Sequence, residues 1–298
     1  MTDKSLSSTE YAVALGFFDG LHTAHRKVLS EVLKKASSGY APAVLLFDEH
    51  PRNVIAGSGV PFLLQSDMRD EKLAEMGIER VFISFSEIKD MSPREFVEKI
   101  LACRLHAKAV VCGYNYRFGK GAAGDTEELK RLCAEHEISV TVVEDVTYMG
   151  ADVSSTRIRK AVSEGEMEEA TALLGEPFTY RSEIFTGDRR GRLLGAPTVN
   201  QFIPAELIVP RFGVYASRVY AEGKEYIGVT NVGSRPTFDG GSVRSETYIL
   251  DFSGDLYGKQ VTIELYKFIR DEKKFPDGDT LRTQIALDVQ SVQEYFGK

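Results

Sequence analysis

The sequence predicts an α/β N-terminal domain built on a Rossmann-like parallel sheet, followed by a C-terminal β-barrel domain with a terminal helix. Two features of pattern and one of length lead to that expectation. Up to residue 174, short apolar runs alternate with amphipathic stretches, as in chains whose helical crossovers join parallel strands. The pattern breaks at Glu176-Pro177-Phe178, because proline disfavours a helical conformation in the residue before it. β-rich runs separated by Gly, Pro and Asp clusters follow, which suits antiparallel strands in a small barrel. At 298 residues the chain is longer than one core needs, given a prior of roughly 100 to 200 residues per domain. The boundary is expected near residues 175–181, giving domains at 1–177 and 178–298.

Taken in order, residues 11–16 read as the first strand and 25–36 as the first helix. A strand at 43–47, a helix at 67–76 and a strand at 80–85 continue the alternation. So do a helix at 93–101, a strand at 109–112, a helix at 126–135 and a strand at 139–143. Residues 155–163 and 167–174 read as two closing helices. Ligands of such sheets bind at the carboxyl ends of the strands. In the second half, residues 180–186, 213–220, 226–232, 245–250 and 260–268 carry the β pattern. Leu281, Ile285, Val289, Val292 and Phe296 recur at near-helical spacing, so residues 279–296 should form one helix packed on the barrel.

Acidic residues outnumber basic ones 44 to 37, a formal net charge of −7, which makes a nucleic-acid polymer a poor partner. Basic clusters such as Arg189-Arg190-Gly191-Arg192 are short and suit small anions such as nucleotides. The three cysteines, Cys103, Cys112 and Cys133, lack metal-like spacing and fit reduced thiols in a cytoplasmic protein better than a disulfide framework. The first ten residues have no apolar signal core, and no stretch approaches the length of a membrane helix.

The segment from Leu15 to His25 follows the first strand and opens the first helix. Gly16 and Gly20 let the backbone pass close to a phosphate, and the helix N-terminus adds N–H donors. His22 and His25, three apart, share one helix face and can grip a triphosphate as pyrophosphate leaves. Two surface histidines in a loop are the plain alternative. In Ser154-Ser155-Thr156-Arg157-Ile158-Arg159, hydroxyls that can cap a helix precede two arginines able to pair with phosphate. A capped surface helix also explains that segment.

In the second half, residues 186–200 carry Gly187, Gly191 and Gly195, three arginines, and then Thr198 and Asn200. Positions two apart in an extended segment face one side, so Thr198 and Asn200 can present a hydroxyl and an amide oxygen to one Mg²⁺. A polar hairpin turn accounts for the same residues equally well. Glu246 lies in an alternating pattern with Tyr248 and Leu250, where an exposed strand carboxylate is commonplace.

From residue 11 to about residue 290 the chain resembles the prokaryotic bifunctional riboflavin kinase/FAD synthetase family. Residues 15–25 resemble its version of the nucleotidyltransferase HxGH signature, and Ser154–Arg159 its second nucleotide motif, Ser-Ser-Thr-x-Ile-Arg. Residues 47–52 and 113–119 resemble segments that line the FMN and ATP sites. The resemblance implies that ATP is bound by Gly16, Phe18, Asp19, Gly20, His22, His25, Ser154, Ser155, Thr156, Arg157 and Arg159. It implies that FMN is bound by His50, Pro51, Arg52 and Asn115. Residues 195–200 resemble the flavokinase motif Gly-x-Pro-Thr-x-Asn, in which Thr and Asn bind Mg-ATP. Gly187, Arg192, Gly195, Pro197, Thr198, Asn200 and Arg270 are then expected at the kinase ligands, with Glu246 as general base on riboflavin.

The implied activities are phosphorylation of riboflavin to FMN and adenylylation of FMN to FAD, both with Mg²⁺ and ATP. Small molecules would be the partners, with no nucleic acid and no membrane. Three departures from the pattern stand out: Ala24 for the glycine of HxGH, Phe17 for a common asparagine and Asn115 for a common aspartate. Ala24 and Phe17 are expected to lower or retune adenylylation. A riboflavin kinase with a weakened or silent transferase half is therefore one competing reading. A non-catalytic flavin-binding regulator is the other.

Overall fold

The computed structural model describes residues 9–47, 59–186, 198–234 and 242–298. By mutual contact the chain divides into two compact units, Met1–Val60 with Ser66–Ser154, and Pro61–Gln65 with Ser155–Lys298. Among the described residues, no helix is long and apolar enough to cross a membrane.

In the first unit, β1 (Tyr11–Leu15), β2 (Ala41–Phe47), β3 (Glu79–Ile83), β4 (Ala107–Gly113) and β5 (Ser139–Val143) form a sheet in the order β3-β2-β1-β4-β5. Every pairing is parallel. β1 is buried along its whole length, which is why its sequence, Tyr-Ala-Val-Ala-Leu, is a continuous apolar run. The helices are α1 (Thr23–Ala36), α2 (Ser66–Glu75), α3 (Phe96–Arg104) and α4 (Thr126–Ala134). One packed cluster joins Val13, Leu15 and Val110 of the sheet to Val97 and Leu101 of α3 and Leu129 and Leu132 of α4.

Two local features were not expected. The helix read at 93–101 is an α-helical turn, Pro93–Glu95, running into the π-helical α3. Ser92 and Glu95 close a capping box at its start. A small hairpin, β6 (Thr147–Tyr148) and β7 (Ala151–Asp152), turns on Met149 and Gly150 at φ 52° and 79°, the twin left-handed residues of a type I′ turn.

The second unit opens with α5 (Ser155–Glu164) and α6 (Met167–Leu174) and ends with α7 (Gly278–Phe296). Between them lie β8 (Phe178–Phe185), β9 (Thr198–Phe202), β10 (Gly213–Ala221), β11 (Lys224–Ser234), β12 (Val243–Ile249) and β13 (Gln260–Arg270). They close an antiparallel barrel in the order β10-β11-β12-β9-β8-β13. Tyr180, Ile184, Val261 and Ile263 fill its interior. Three hydroxyls inside form a chain: Thr230 Oγ1 lies 2.7 Å from Ser217 Oγ and 2.9 Å from Thr247 Oγ1. Gln201 Nε2 donates to the Ser182 and Val261 carbonyls at 2.7 and 2.8 Å. A Cβ on Gly228 would sit 2.7 Å from Ser217 Oγ, so only glycine leaves room for that hydroxyl chain.

The expected division at 1–177 and 178–298 and the units defined by contact differ in where the two closing helices fall. β8 does open at Phe178, but α6 packs on β13 and β8, so the compact barrel unit includes both helices before it. Residues 61–65 also belong to it: Phe62 N–H donates to the Glu206 carbonyl at 2.7 Å, and the Gln65 amide exchanges two hydrogen bonds with the Arg181 backbone.

α7 lays Val289, Val292 and Phe296 on the outside of the barrel, against Val214, Ala216 and Val229. A fork-to-fork ion pair locks it there. Arg270 Nε and Nη2 donate to the two Asp288 oxygens at 2.8 and 2.7 Å, with the side chains only 15% and 4% exposed. Gln284 Nε2 adds a third bond to Asp288 at 2.9 Å. Removing the carboxylate strands a buried guanidinium, so Asp288→Ala should lower barrel stability by about 3–5 kcal/mol. Urea unfolding followed by far-ultraviolet circular dichroism measures this, and an unchanged midpoint would contradict the clamp.

Candidate functional site

The sheet of the first unit reverses its winding between β1 and β4: the chain passes from β1 to β2 and β3 on one side, then to β4 and β5 on the other. A crevice outside the carboxyl ends of two such strands is where open α/β sheets bind ligands. Both glycine-bearing segments singled out in this half leave those two strands. After β1 the backbone turns through Phe18, Gly20 and Leu21 at φ 53°, 79° and 43°. Phe18, Asp19, Gly20, Leu21 and His22 are all buried. A Cβ on Gly16 would come within 3.1 Å of the Phe18 ring, so the glycine makes room for that ring.

The turn delivers His22 to the N-cap of α1, where its Nδ1 accepts from the His25 backbone N–H at 3.3 Å. The two imidazoles stack, with centroids 3.6 Å apart and planes inclined by 16°. Phe18 packs on the other side of His25, at 5.0 Å. His25 Nδ1 is buried without a hydrogen-bond partner among the described residues. Burial, reinforced by the His22 ring, pushes the His25 pKa well below the usual histidine range. His25 is therefore neutral at rest, with its Nδ1 open to a ligand.

Asn115 lies in the exposed turn after β4, its Oδ1 facing Gly113. Ser154 closes the first unit, and Ser155, Thr156, Arg157 and Arg159 open α5 of the second. Both arginines already have protein partners. Arg157 Nε donates to Glu169 Oε1 at 2.8 Å, and Arg159 Nε to the Pro61 carbonyl at 2.7 Å. His50, Pro51 and Arg52, and Gly187, Arg192, Gly195 and Pro197, lie outside the described residues.

On the barrel, strand register brings the kinase candidates together. Asn200 of β9 pairs with Glu246 of β12, which pairs with Asn231 of β11. Thr198 pairs with Tyr248, one step along the same face. Their neighbours Gln201, Ser245 and Thr247 are fully buried inside, so this row faces outward, on the side that carries α7. Lateral neighbours in a sheet hold their Cβ atoms about 5 Å apart. Thr198 and Asn200 thus offer a hydroxyl and an amide oxygen beside a carboxylate, the hard oxygen donors that a divalent cation such as Mg²⁺ accepts.

Asn231 was not singled out from the sequence, because its lateral partner depends on a register that spacing along one strand does not encode. Its Nδ2 lies 3.4 Å from Glu272 Oε1, and the same carboxylate occupies the space a Cβ on Gly233 would fill. Arg270, expected at a ligand, spends Nε and Nη2 on Asp288 and Nη1 on the Asp271 carbonyl at 2.9 Å. Its geometry is that of a clamp for α7.

Two family descriptions match the chain: FAD synthetase over residues 4–157 and riboflavin kinase over residues 174–296. The bifunctional riboflavin kinase/FMN adenylyltransferase of Listeria monocytogenes is 36% identical over 292 residues, which cover 96% of this chain and 92% of the relative. Those of Bacillus subtilis and Escherichia coli K12 are 33% and 32% identical, covering 95% and 96% of this chain and 92% of each relative. A solved structure from Streptococcus pneumoniae, described as a macrolide-efflux protein, matches with a TM-score of 0.87 at 31% identity, over 96% of this chain and 95% of that one. With both parts present in one chain, and relatives matched along nearly their whole length, this chain belongs to the family of bifunctional riboflavin kinase/FMN adenylyltransferases, enzymes of flavin cofactor synthesis.

Proposed function

We propose that the outward row on the barrel phosphorylates riboflavin, and that the carboxyl edge of β1 and β4 adenylylates the FMN so formed. The pairing of Glu246 with Asn200, one step from Thr198, carries the first assignment. Glu246 takes the proton of the ribityl 5′-hydroxyl as that oxygen attacks the γ-phosphorus of ATP, and ADP leaves with the bridging oxygen. Mg²⁺ supplies charge neutralisation on the phosphates when bound. Thr198 and Asn200 would hold it.

In the second reaction a phosphate oxygen of FMN attacks the α-phosphorus of ATP. The bond to the α–β bridging oxygen breaks, and pyrophosphate departs. His22 and His25 stabilise the charge that builds on the leaving group. Asn115, with His50, Pro51 and Arg52, would contact FMN. The three cysteines are unpaired, and burial raises Cys112 to about 11 and Cys133 to about 12, which fits inert thiols in a reducing cytoplasm.

The position of Ala24 favours a working transferase over a silenced one. It sits in the first turn of α1 with a φ that is not positive, so the backbone there has no need of glycine. Ala24→Gly should destabilise the first unit by up to about 1 kcal/mol and change FAD formation from FMN by only a few-fold. A gain of a hundredfold would mean that the alanine methyl obstructs the triphosphate.

Glu246→Gln should abolish FMN formation from riboflavin and leave FAD formation from FMN intact, both read by chromatography. Retained kinase activity would remove Glu246 from the mechanism. The histidine pair makes a separate, pH-dependent prediction. His25 binds its proton more weakly folded than unfolded, so its neutral form contributes stability above about pH 6.5 that is lost as pH falls towards its folded pKa. The thermal midpoint of the wild type should therefore fall below pH 6.5, with a shallower decline in His25→Gln. That variant should also lose about 10²-fold or more in adenylylation rate.

A further inference from the structure

Leu21 stands at φ 43° in the turn before α1, with its side chain fully buried. A bulky residue adopts that left-handed conformation only where its surroundings hold it. Burial holds the side chain but not the carbonyl. In an uninterrupted helix the Leu21 carbonyl would accept from the backbone N–H of His25, four residues on. Here that N–H is spent on His22 Nδ1, at 3.3 Å. Arg26 supplies the replacement. Its side chain folds back over the first turn of α1, and Nε donates to the Leu21 carbonyl at 2.9 Å. Its backbone N–H meanwhile donates to the His22 carbonyl, also at 2.9 Å. One residue thus pins both peptide groups that flank the His22 Cα.

We propose that Arg26 is a positioning residue for adenylyl transfer, holding the peptide between Leu21 and His22 in the orientation that stacks the His22 and His25 imidazoles. This rests on the assignment of that histidine pair to the second reaction. Rotation of the peptide would swing the His22 side chain with it. Nδ1 would then leave the His25 N–H, and the stack, with centroids 3.6 Å apart, would open. The chemistry of the donor points the same way. A helix N-terminus carries a partial positive charge, which disfavours a cation in the first turn. A guanidinium there adds nothing to the stability of α1, so its place is explained by the carbonyl it holds. The rival role is a direct one, in which the guanidinium charge meets the triphosphate.

Steady-state formation of FAD from FMN and ATP by the full chain separates the two roles, with riboflavin phosphorylation followed in parallel. Glutamine carries its amide nitrogen as many bonds from Cα as arginine carries Nε, so Arg26→Gln keeps a donor and removes the charge. Arg26→Met keeps the length and has no donor. Arg26→Met should lower kcat for FAD formation about 10- to 100-fold, the cost of a misplacement of about 1 Å, with KM for ATP and FMN little changed. Arg26→Gln should stay near the wild-type kcat, and riboflavin phosphorylation should be unaffected in both. His25 gives a second readout by proton NMR. Its titration midpoint, well below 6.5 in the wild type, should rise towards that value in Arg26→Met as the stack opens, and keep its place in Arg26→Gln. Should Arg26→Met fail to fold, seen by circular dichroism, Arg26→Lys takes its place: positioning ranks glutamine above lysine, whose amine lies one bond further out. A larger loss in Arg26→Gln than in Arg26→Lys would give the charge a direct role on the triphosphate. An unchanged kcat in Arg26→Met would make the bond to Leu21 incidental. Either result overturns the inference and leaves the histidine assignment standing, because that assignment fails only if His25→Gln retains the wild-type rate of FAD formation.

Discussion

Barrel closure decides which side chains in the second unit can do chemistry. A six-stranded closed sheet leaves room inside only for packed side chains, so inward positions favour apolar residues or small polar ones that can pair. Tyr180, Val261 and Ile263 fill the interior, Ser217, Thr230 and Thr247 link their hydroxyls, and Gln201 Nε2 is spent on strand carbonyls. Ligand-directed groups are thereby confined to the alternate positions, which face out. Thr198, Asn200, Glu246 and Asn231 all occupy such positions, and antiparallel register alone makes neighbours of residues 46 apart in sequence, as for Asn200 and Glu246. The clamp between Arg270 and Asp288 serves the same arrangement by holding α7 on that outer face.

The first unit solves the placement problem differently. Its central strands, β1, β2 and β4, are buried along most of their length, so their sides offer little to a ligand, and function moves to the strand ends. The turn after β1 needs two non-glycine residues, Phe18 and Leu21, in left-handed conformations, which cost of order 1 kcal/mol each and persist only when their surroundings hold them. Burial of both side chains provides that hold. The result is a rigid lead into α1 that stacks His22 on His25 and leaves His25 Nδ1 uncommitted.

The alternation of strands and helices, the change of pattern at Pro177 and the terminal helix were all legible in the sequence, because each rests on local periodicity or on a single breaking residue. The histidine pair was legible for the same reason: three-residue spacing on a helix is local geometry. β9 was read only as an extended segment holding Thr198 and Asn200, since five residues after a polar loop carry little periodicity. What stayed hidden depends on contacts distant in sequence. The sequence marks Arg270 as a ligand arginine but not its pairing with Asp288, which takes two of its N–H groups. It marks Arg157 and Arg159 as phosphate-binding but not their contacts with Glu169 and the Pro61 carbonyl. The membership of residues 61–65 in the barrel unit has no sequence signal at all.

The difference between the two sets of residues follows from the nucleophiles they serve. An alcohol is a poor nucleophile until it loses its proton, so the face proposed to phosphorylate riboflavin needs a base, and Glu246 would supply it as a carboxylate beside the oxygen donors of Thr198 and Asn200. The phosphate of FMN is already anionic and needs no base. A carboxylate close to it would repel both it and ATP. The edge assigned to FMN accordingly presents two stacked imidazoles, while the carboxylate of the same turn, Asp19, is buried and engaged within the fold. A neutral imidazole such as that of His25 does not bind the incoming triphosphate so tightly in the ground state as a cation would. In the proposed reaction it would reserve its hydrogen bond for charge that grows on the departing pyrophosphate, and only interactions that strengthen in the transition state raise the rate.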